Sequence, residues 1–167
     1  GLLDMKEAAF RHERIDLLYP AEVGLRDAVA DICDRAVEAV RSGKLILVLS
    51  DRDISRDKLP VHALLATGAV HHRLIREGIR CNANLVVETA TARDPHHFAT
   101  LIGYGATAVY PYLAFEVLDH MIRSGEISSG DGTQTGINYR RGINKGLYKI
   151  TSKMGISTIT SYRGAQF

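Results

Sequence analysis

Leu45-Ile46-Leu47-Val48-Leu49-Ser50-Asp51-Arg52 decides the fold. An apolar run with no polar interruption lies between Gly43-Lys44 and a polar turn. Such a run is typical of a parallel strand covered on both faces, where neither alternate row of side chains meets water. Residues 84–89, NLVVET, and 106–110, ATAVY, read as its partners. Helices fit between them. Pro60 is expected to open one that Gly78 ends, with Val61, Leu64, Leu65, Gly68, Ala69, His72 and Ile75 on or near one face. Asp94 caps the next, Pro95 fills its first turn, and it runs to about residue 104. A third covers 113–123. The expected fold class is therefore α/β: a mostly parallel sheet with alternating helices, built of βαβ units, as a partial domain.

Upstream, residues 24–41 predict a helix with Leu25, Ala28, Val29, Ile32, Ala36, Val37 and Val40 at spacings of three and four, stopped by Gly43. Residues 14–19 have the make-up of a short strand closed by Pro20, and 5–10 of one or two helical turns. Downstream, residues 125–136, GEISSGDGTQTG, read as an exposed loop or linker. Residues 138–154 read as a helix, on which Gly142 and Gly146 share a face and would allow close packing. Gly155 caps it, and 156–161 alternate into an expected strand. Residues 164–167 look like a helix opening, from which we expect a piece of a larger protein.

The 167 residues suit one domain, and 46% hydrophobic content can fill a core. A net charge of +2 with scattered Lys and Arg argues against nucleic acid. Cys33 and Cys81 have no framework spacing, which suggests a reducing compartment and two ordinary thiols. No run approaches the roughly 18–20 apolar residues of a membrane span, and residues 1–6 lack the features of a signal peptide.

Ligands of open parallel sheets sit beyond the strands' carboxyl ends. Those ends are expected to bring Ser50-Asp51-Arg52, Glu88-Thr89, Tyr110-Pro111-Tyr112 and Ser161-Tyr162-Arg163 to one rim. The plainer reading is that loops after strands are polar and that Asp and Ser cap helices. His71-His72 and His96-His97, with Glu88, raise a metal site, and with it a stand-alone metal-dependent α/β enzyme. Helical neighbours point about 100° apart, so each pair offers one ligand, and packing at helix faces is the competing reading. Neither cysteine has a basic cluster to activate it. Gly103-Tyr104-Gly105 is too short for a dinucleotide loop. Lys145, Lys149 and Lys153 form a stripe that is either solvated or faces an anion.

Several long blocks resemble the central domain of the glutamate synthase large subunit. They are residues 49–52, LSDR; 64–72, LLATGAVHH; 87–99, VETATARDPHHFA; 101–106, LIGYGA; and 110–114, YPYLA. Residues 143–166 are similar to the passage from that domain into the FMN-binding synthase domain. The resemblance covers roughly residues 15–167. It implies residues 1–125 as the later part of the central domain, 126–136 as a loop or linker, and 137–167 as a truncated junction. Residues 125–136 look shortened or altered relative to the family.

The resemblance further implies a cytoplasmic enzyme, closest to the bacterial NADPH-dependent type, that converts glutamine and 2-oxoglutarate to two glutamates. The parent would carry an amidotransferase domain with a nucleophilic cysteine, and an FMN barrel with a 3Fe–4S cluster. A small subunit would bring FAD and NADPH. Neither nucleophile nor cluster cysteines match here, so no catalytic, cofactor-binding or metal residue is expected in this chain. It would be a connector in the wall of an internal ammonia path. Glu88, Arg93, His96, Tyr112, Lys153, Ser161, Tyr162 and Arg163 are the expected interdomain or path contacts. The partners would be the parent's amidotransferase and FMN domains and the small subunit, with no nucleic acid or membrane, and with self-association possible for the isolated piece.

Overall fold

The computed structural model describes residues 11–127 and 132–165. The helical turns expected over residues 5–10 lie outside them. Four parallel strands form the sheet: β1 (His12–Asp16), β3 (Ile46–Ser50), β5 (Asn84–Glu88) and β6 (Ala108–Tyr110), in the spatial order β1-β3-β5-β6. The α/β expectation holds. Each strand pairs in register with its predecessor, as in Ser50 beside Asp16 and Glu88 beside Ser50. The crossovers carry α1 (Leu25–Arg41), α2 (Ala63–Arg76) and α3 (Pro95–Gly103). Right-handed crossovers stepping in one direction along a sheet place these helices on one face.

Side-chain alternation then separates the two faces. Ile15, Leu47, Leu49, Leu85 and Val87 enter the core with Ile32, Val37 and Val40 of α1 and Val70 and Leu74 of α2. Arg14, Val48, Val86 and Ala108 occupy the other row, and none of them belongs to that core. Cover on both faces, expected from the apolar run, is thus supplied by these helices on one face only among the described residues.

The expected strand over 14–19 is divided. Asp16 Oδ1 accepts from Leu18 N at 3.0 Å, which turns the chain after β1. A second strand, β2 (Leu18–Pro20), then pairs antiparallel with β4 (Lys58–Pro60). Pro60 therefore ends an edge strand, where its missing N–H costs no ladder bond. It does not open α2, which His62 caps by accepting from Leu64 N at 3.2 Å. The α3 start matches expectation: Asp94 Oδ1 accepts from His96 N and His97 N at 2.9 and 3.1 Å.

After β6 come α4 (Tyr112–Arg123), the long α5 (Gly132–Lys153) and a single turn, α6 (Ile159–Tyr162). Two expectations fail here. Helix α5 begins six residues before residue 138, inside the expected linker; packing overrides the poor helix propensity of Gly and Thr. Gly136 sits against the Phe115 ring, and Phe115 meets the Tyr139 ring edge-on at 5.6 Å. The strand expected over 156–161 is instead a loop and the α6 turn. Gly164, at φ +69, ends this turn and donates to Gly103 O at 2.8 Å, so the helix opening expected there is absent through Ala165.

Gly142 and Gly146 share a face of α5, but only one is needed for contact. A Cβ on Gly146 would collide with the Pro95 ring at the start of α3, whereas one on Gly142 would meet nothing within 4 Å. We expect Gly146→Ala to destabilise by about 1–2 kcal/mol through overpacking. Gly142→Ala should stabilise by about 0.5–1 kcal/mol through helix propensity. Paired urea titrations of the two variants check the opposite signs.

Candidate functional site

Asp16, Ser50, Glu88 and Tyr110 end the four strands as one registered row on the face away from the core. Ser50 is fully buried. Its hydroxyl donates to Glu88 Oε2 at 2.6 Å and accepts from Arg14 Nη2 at 3.0 Å. Glu88 Oε1 accepts from Arg52 Nη1 at 3.0 Å, and the Glu88 side chain is only 13% exposed. The outer anions are Asp53, 2.9 Å from Arg14 Nη2, and Glu116 of α4, 3.4 Å from Arg52 Nη2. The Arg52 guanidinium also lies 5.4 Å from the Tyr112 ring centre. The hydrogen bond that Arg52 donates to Glu88 holds the Arg52 pKa above its usual value.

Beneath this network is a second buried carboxylate. Asp51 accepts from the Thr89 hydroxyl at 2.6 Å and from Ala90 N at 3.0 Å, tying the loop after β3 to the loop after β5. The Tyr112 hydroxyl donates to Asp51 O at 3.3 Å. Burial first, then the Asp51 charge, push the Tyr112 pKa up, so it acts at neutral pH as a donor. The Ser50–Glu88 contact has the spacing of a nucleophile and base, but Ser50 Oγ also accepts from Arg14 and from Arg52 N. With its lone pairs engaged and no exposure, it is a tie between strands rather than a nucleophile.

The expected site residues fall into two places. Glu88 and Tyr112 meet through Arg52, and Arg93 and His96 stand at the neighbouring start of α3. Arg93 N donates to His97 Nδ1 at 3.2 Å, and Arg93 O accepts from the Tyr139 hydroxyl at 2.8 Å, anchoring α5 to this rim. A cleft of about 320 Å³ opens beside Arg93, lined also by His62, Leu64, Thr91, His97 and Thr100. Ser161, Tyr162 and Arg163 are elsewhere. Their segment is held where α3 ends, by the Tyr162 ring against Gly103 and by Gly164 N donating to Gly103 O, and α3 ends where β6 begins. That is the opposite, amino-terminal rim, which corrects the expectation of four strand ends on one edge. Lys145, Lys149 and Lys153 are all exposed on α5. Sequence reading did not single out Arg14, Asp53, Glu116 or Arg80; Arg14 shares the Ser50 row by strand parity, the one signal that pointed to it.

The histidine pairs are engaged separately. His71 Nδ1 accepts from Arg80 Nε at 2.9 Å. His97 Nδ1 is taken by Arg93 N, and its Nε2 lies 3.6 Å from Asp94 Oδ2. Among the described residues, no three or more His, Cys, Asp or Glu groups are placed to hold a metal ion. Cys33 is buried in α1, where burial raises its pKa, and Cys81 is exposed in the turn before β5. Burial and the Arg80 charge hold His71 down at about 4, against an ordinary value of 6.5. A base with a lowered folded pKa takes up protons more readily when unfolded, so stability is lost as pH falls from about 6.5 towards 4. We expect the wild-type chain to lose about 1–2 kcal/mol more than His71→Gln over that window, after allowance for screening. Urea midpoints at pH 7 and pH 4.5 for both chains measure it.

The family model described as "Glutamate synthase central domain" matches residues 2–167. The chain belongs to this family. Its sequence is similar to the ferredoxin-dependent glutamate synthase of Pyropia yezoensis, 42% identical over 92% of this chain and 11% of that protein. The NADH glutamate synthase of Schizosaccharomyces pombe is 44% identical over 86% of the chain and 7% of its own length. The NADPH glutamate synthase large chain of Bacillus subtilis is 40% identical over 93% and 10%. The chain thus spans about a tenth of the length of these relatives. Its polar carboxyl rim, with charges paired internally, is the feature that this family membership has to accommodate.

Proposed function

We propose that the chain works inside a glutamate synthase large chain, as a connecting domain rather than a catalytic one. The parent would convert glutamine and 2-oxoglutarate to two glutamates in the cytoplasm. Glu88, Arg93, His96 and Tyr112 would form one contact surface near the ammonia path, and Lys153, Ser161, Tyr162 and Arg163 another. The observation that carries this is the self-paired rim. Ser50, Glu88 and Asp51 have their hydrogen-bonding capacity taken up by neighbours, while Arg14 and Arg52 remain about half exposed to meet adjoining protein.

FMN and the 3Fe–4S cluster would belong to the parent's barrel, and the residues here fit neither. The cysteines lie one in a buried helix and one in an exposed turn. The Gly103-Tyr104-Gly105 turn has its N–H groups engaged: Tyr104 N donates to Thr100 O and Gly105 N to Ile102 O. Its carbonyls are used as well, by Gly164 N and Arg80 Nη2. The NADPH donor is part of the proposal, supported by the name of the Bacillus subtilis relative, and a FAD-bearing small subunit is proposed with it. No helix among the described residues is long and apolar enough to cross a membrane.

The test is glutamate formation from glutamine and 2-oxoglutarate with a reductant. The isolated 167-residue chain should give none, and a large chain containing it should turn over. Turnover by the isolated chain would overturn the connecting role.

A further inference from the structure

At the amino-terminal rim two guanidinium groups converge without an anion. Arg80 precedes β5 and spends its donors on neutral acceptors: His71 Nδ1 at 2.9 Å, Ala83 O at 2.8 Å and Gly105 O at 2.7 Å. Gly105 holds φ +118, and a Cβ there would strike the His71 ring, so only glycine admits this arrangement. Arg163 reaches the same turn from the other side. Gly164 N binds Gly103 O at 2.8 Å, and the Tyr162 ring lies against Gly103. Arg163 Nε is buried, and it is the one side-chain nitrogen or oxygen among the described residues that is buried with no hydrogen-bond partner. Among those residues no carboxylate lies within ion-pair distance of Arg80 or Arg163. Burial and repulsion from Arg163 both push the Arg80 pKa down, and His71 is held neutral beside them.

A guanidinium with no anion beside it and one nitrogen buried without an acceptor carries a free-energy cost, and a carboxylate pairing with the accessible part of this half-buried residue would offset it. Tyr104 and Ile159, about half exposed on the same segments, supply apolar surface of the kind that surrounds an interface arginine.

We propose that Arg163, backed by Arg80, is a carboxylate-binding site that receives an Asp or Glu side chain from a part of the large chain outside these 167 residues. The proposal rests on the connecting role above, and two observations favour a protein-borne carboxylate. The relatives are about ten times longer than the segment matched. The segments that carry the site also expose the apolar side chains Tyr104 and Ile159.

The test uses the full large chain carrying Arg163→Lys, treated with a zero-length carbodiimide, which joins an amine to a carboxylate in direct contact. Peptide mapping should find position 163 linked to an Asp or Glu outside this domain, and no such link in wild type. A link from position 163 only to residues within this domain, or no link, overturns the proposal. So does a link suppressed by added succinate at concentrations that leave activity unchanged, since the occupant would then be a free carboxylate. As a second readout, Arg163→Ala should speed proteolytic release of this domain severalfold, whereas Lys149→Ala should leave it unchanged; equal rates overturn the site. Glutamate formation is assayed on the same samples. An Arg163→Lys chain without the link, beside an active wild-type chain, sinks only the carboxylate site, whereas an inactive wild-type chain sinks the connecting role itself.

Discussion

Glu88→Ala is expected to destabilise the domain by about 2–3 kcal/mol through the carboxyl rim. The side chain accepts from Ser50 and Arg52 and lies 3.8 Å from Arg14 Nε. Its removal leaves a fully buried hydroxyl without its acceptor and two cations close together. The two arginines are about half exposed, so water screens part of their repulsion, and the value belongs at the lower end for a broken buried pair. Glu88→Gln keeps an acceptor for Ser50 but loses the charge facing Arg52. It should fall between wild type and Glu88→Ala in urea midpoint. Equal stability of all three chains would mean that the network is a surface ornament.

Asp51→Ala should cost a similar amount, about 2–4 kcal/mol, for a different reason. No cation pairs with this carboxylate among the described residues; it is held by the Thr89 hydroxyl and Ala90 N, both in the loop after β5. Truncation strands two donors, one of them on the fully buried Thr89. Asp51→Asn can still accept from Ala90 N and should lose less. Thr89→Val removes the other partner. The Asp51→Ala, Thr89→Val double variant should therefore lose less than the two single losses added together. Additive losses would show that the two residues do not act on each other.

The legible parts of the fold were those in which local chemistry left one solution. The apolar run from Leu45 to Leu49 had to be a buried strand, observed at Ile46–Ser50, and Asp94-Pro95 had to start a helix. The α1 face was readable because its buried residues, from Ala28 to Val40, recur at helical spacing. The failures came where distant packing decided. Nothing local in Gly132–Gly136 favours a helix; the contact of Gly136 with Phe115 lies twenty-one residues back in the chain. Residues 156–161 alternate as a strand would, yet the bonds that fix this region run from Gly164 to the end of α3 rather than to a strand edge. Pro60 looked like a first-turn proline because its partner, Leu18, is far upstream.

The site divided in the same way. Strand ends placed Ser50, Glu88 and Tyr112 together, as parallel topology requires. The pairing of Glu88 with Arg14 and Arg52 depended on register, which no single segment reveals. The mistaken strand at 156–161 carried Ser161, Tyr162 and Arg163 to the wrong rim.

The proposed role is that of a connector beside the ammonia path, without catalysis of its own. It is tested most directly in the full large chain carrying Glu88→Ala, at a temperature where the domain remains folded. Glutamine consumed, glutamate formed and ammonia released to solvent are measured together. Glutamine hydrolysis and ammonia-dependent glutamate formation are each expected to persist, while glutamate per glutamine falls and free ammonia rises. Coupling equal to wild type, or loss of either half-reaction with the fold intact, would contradict it.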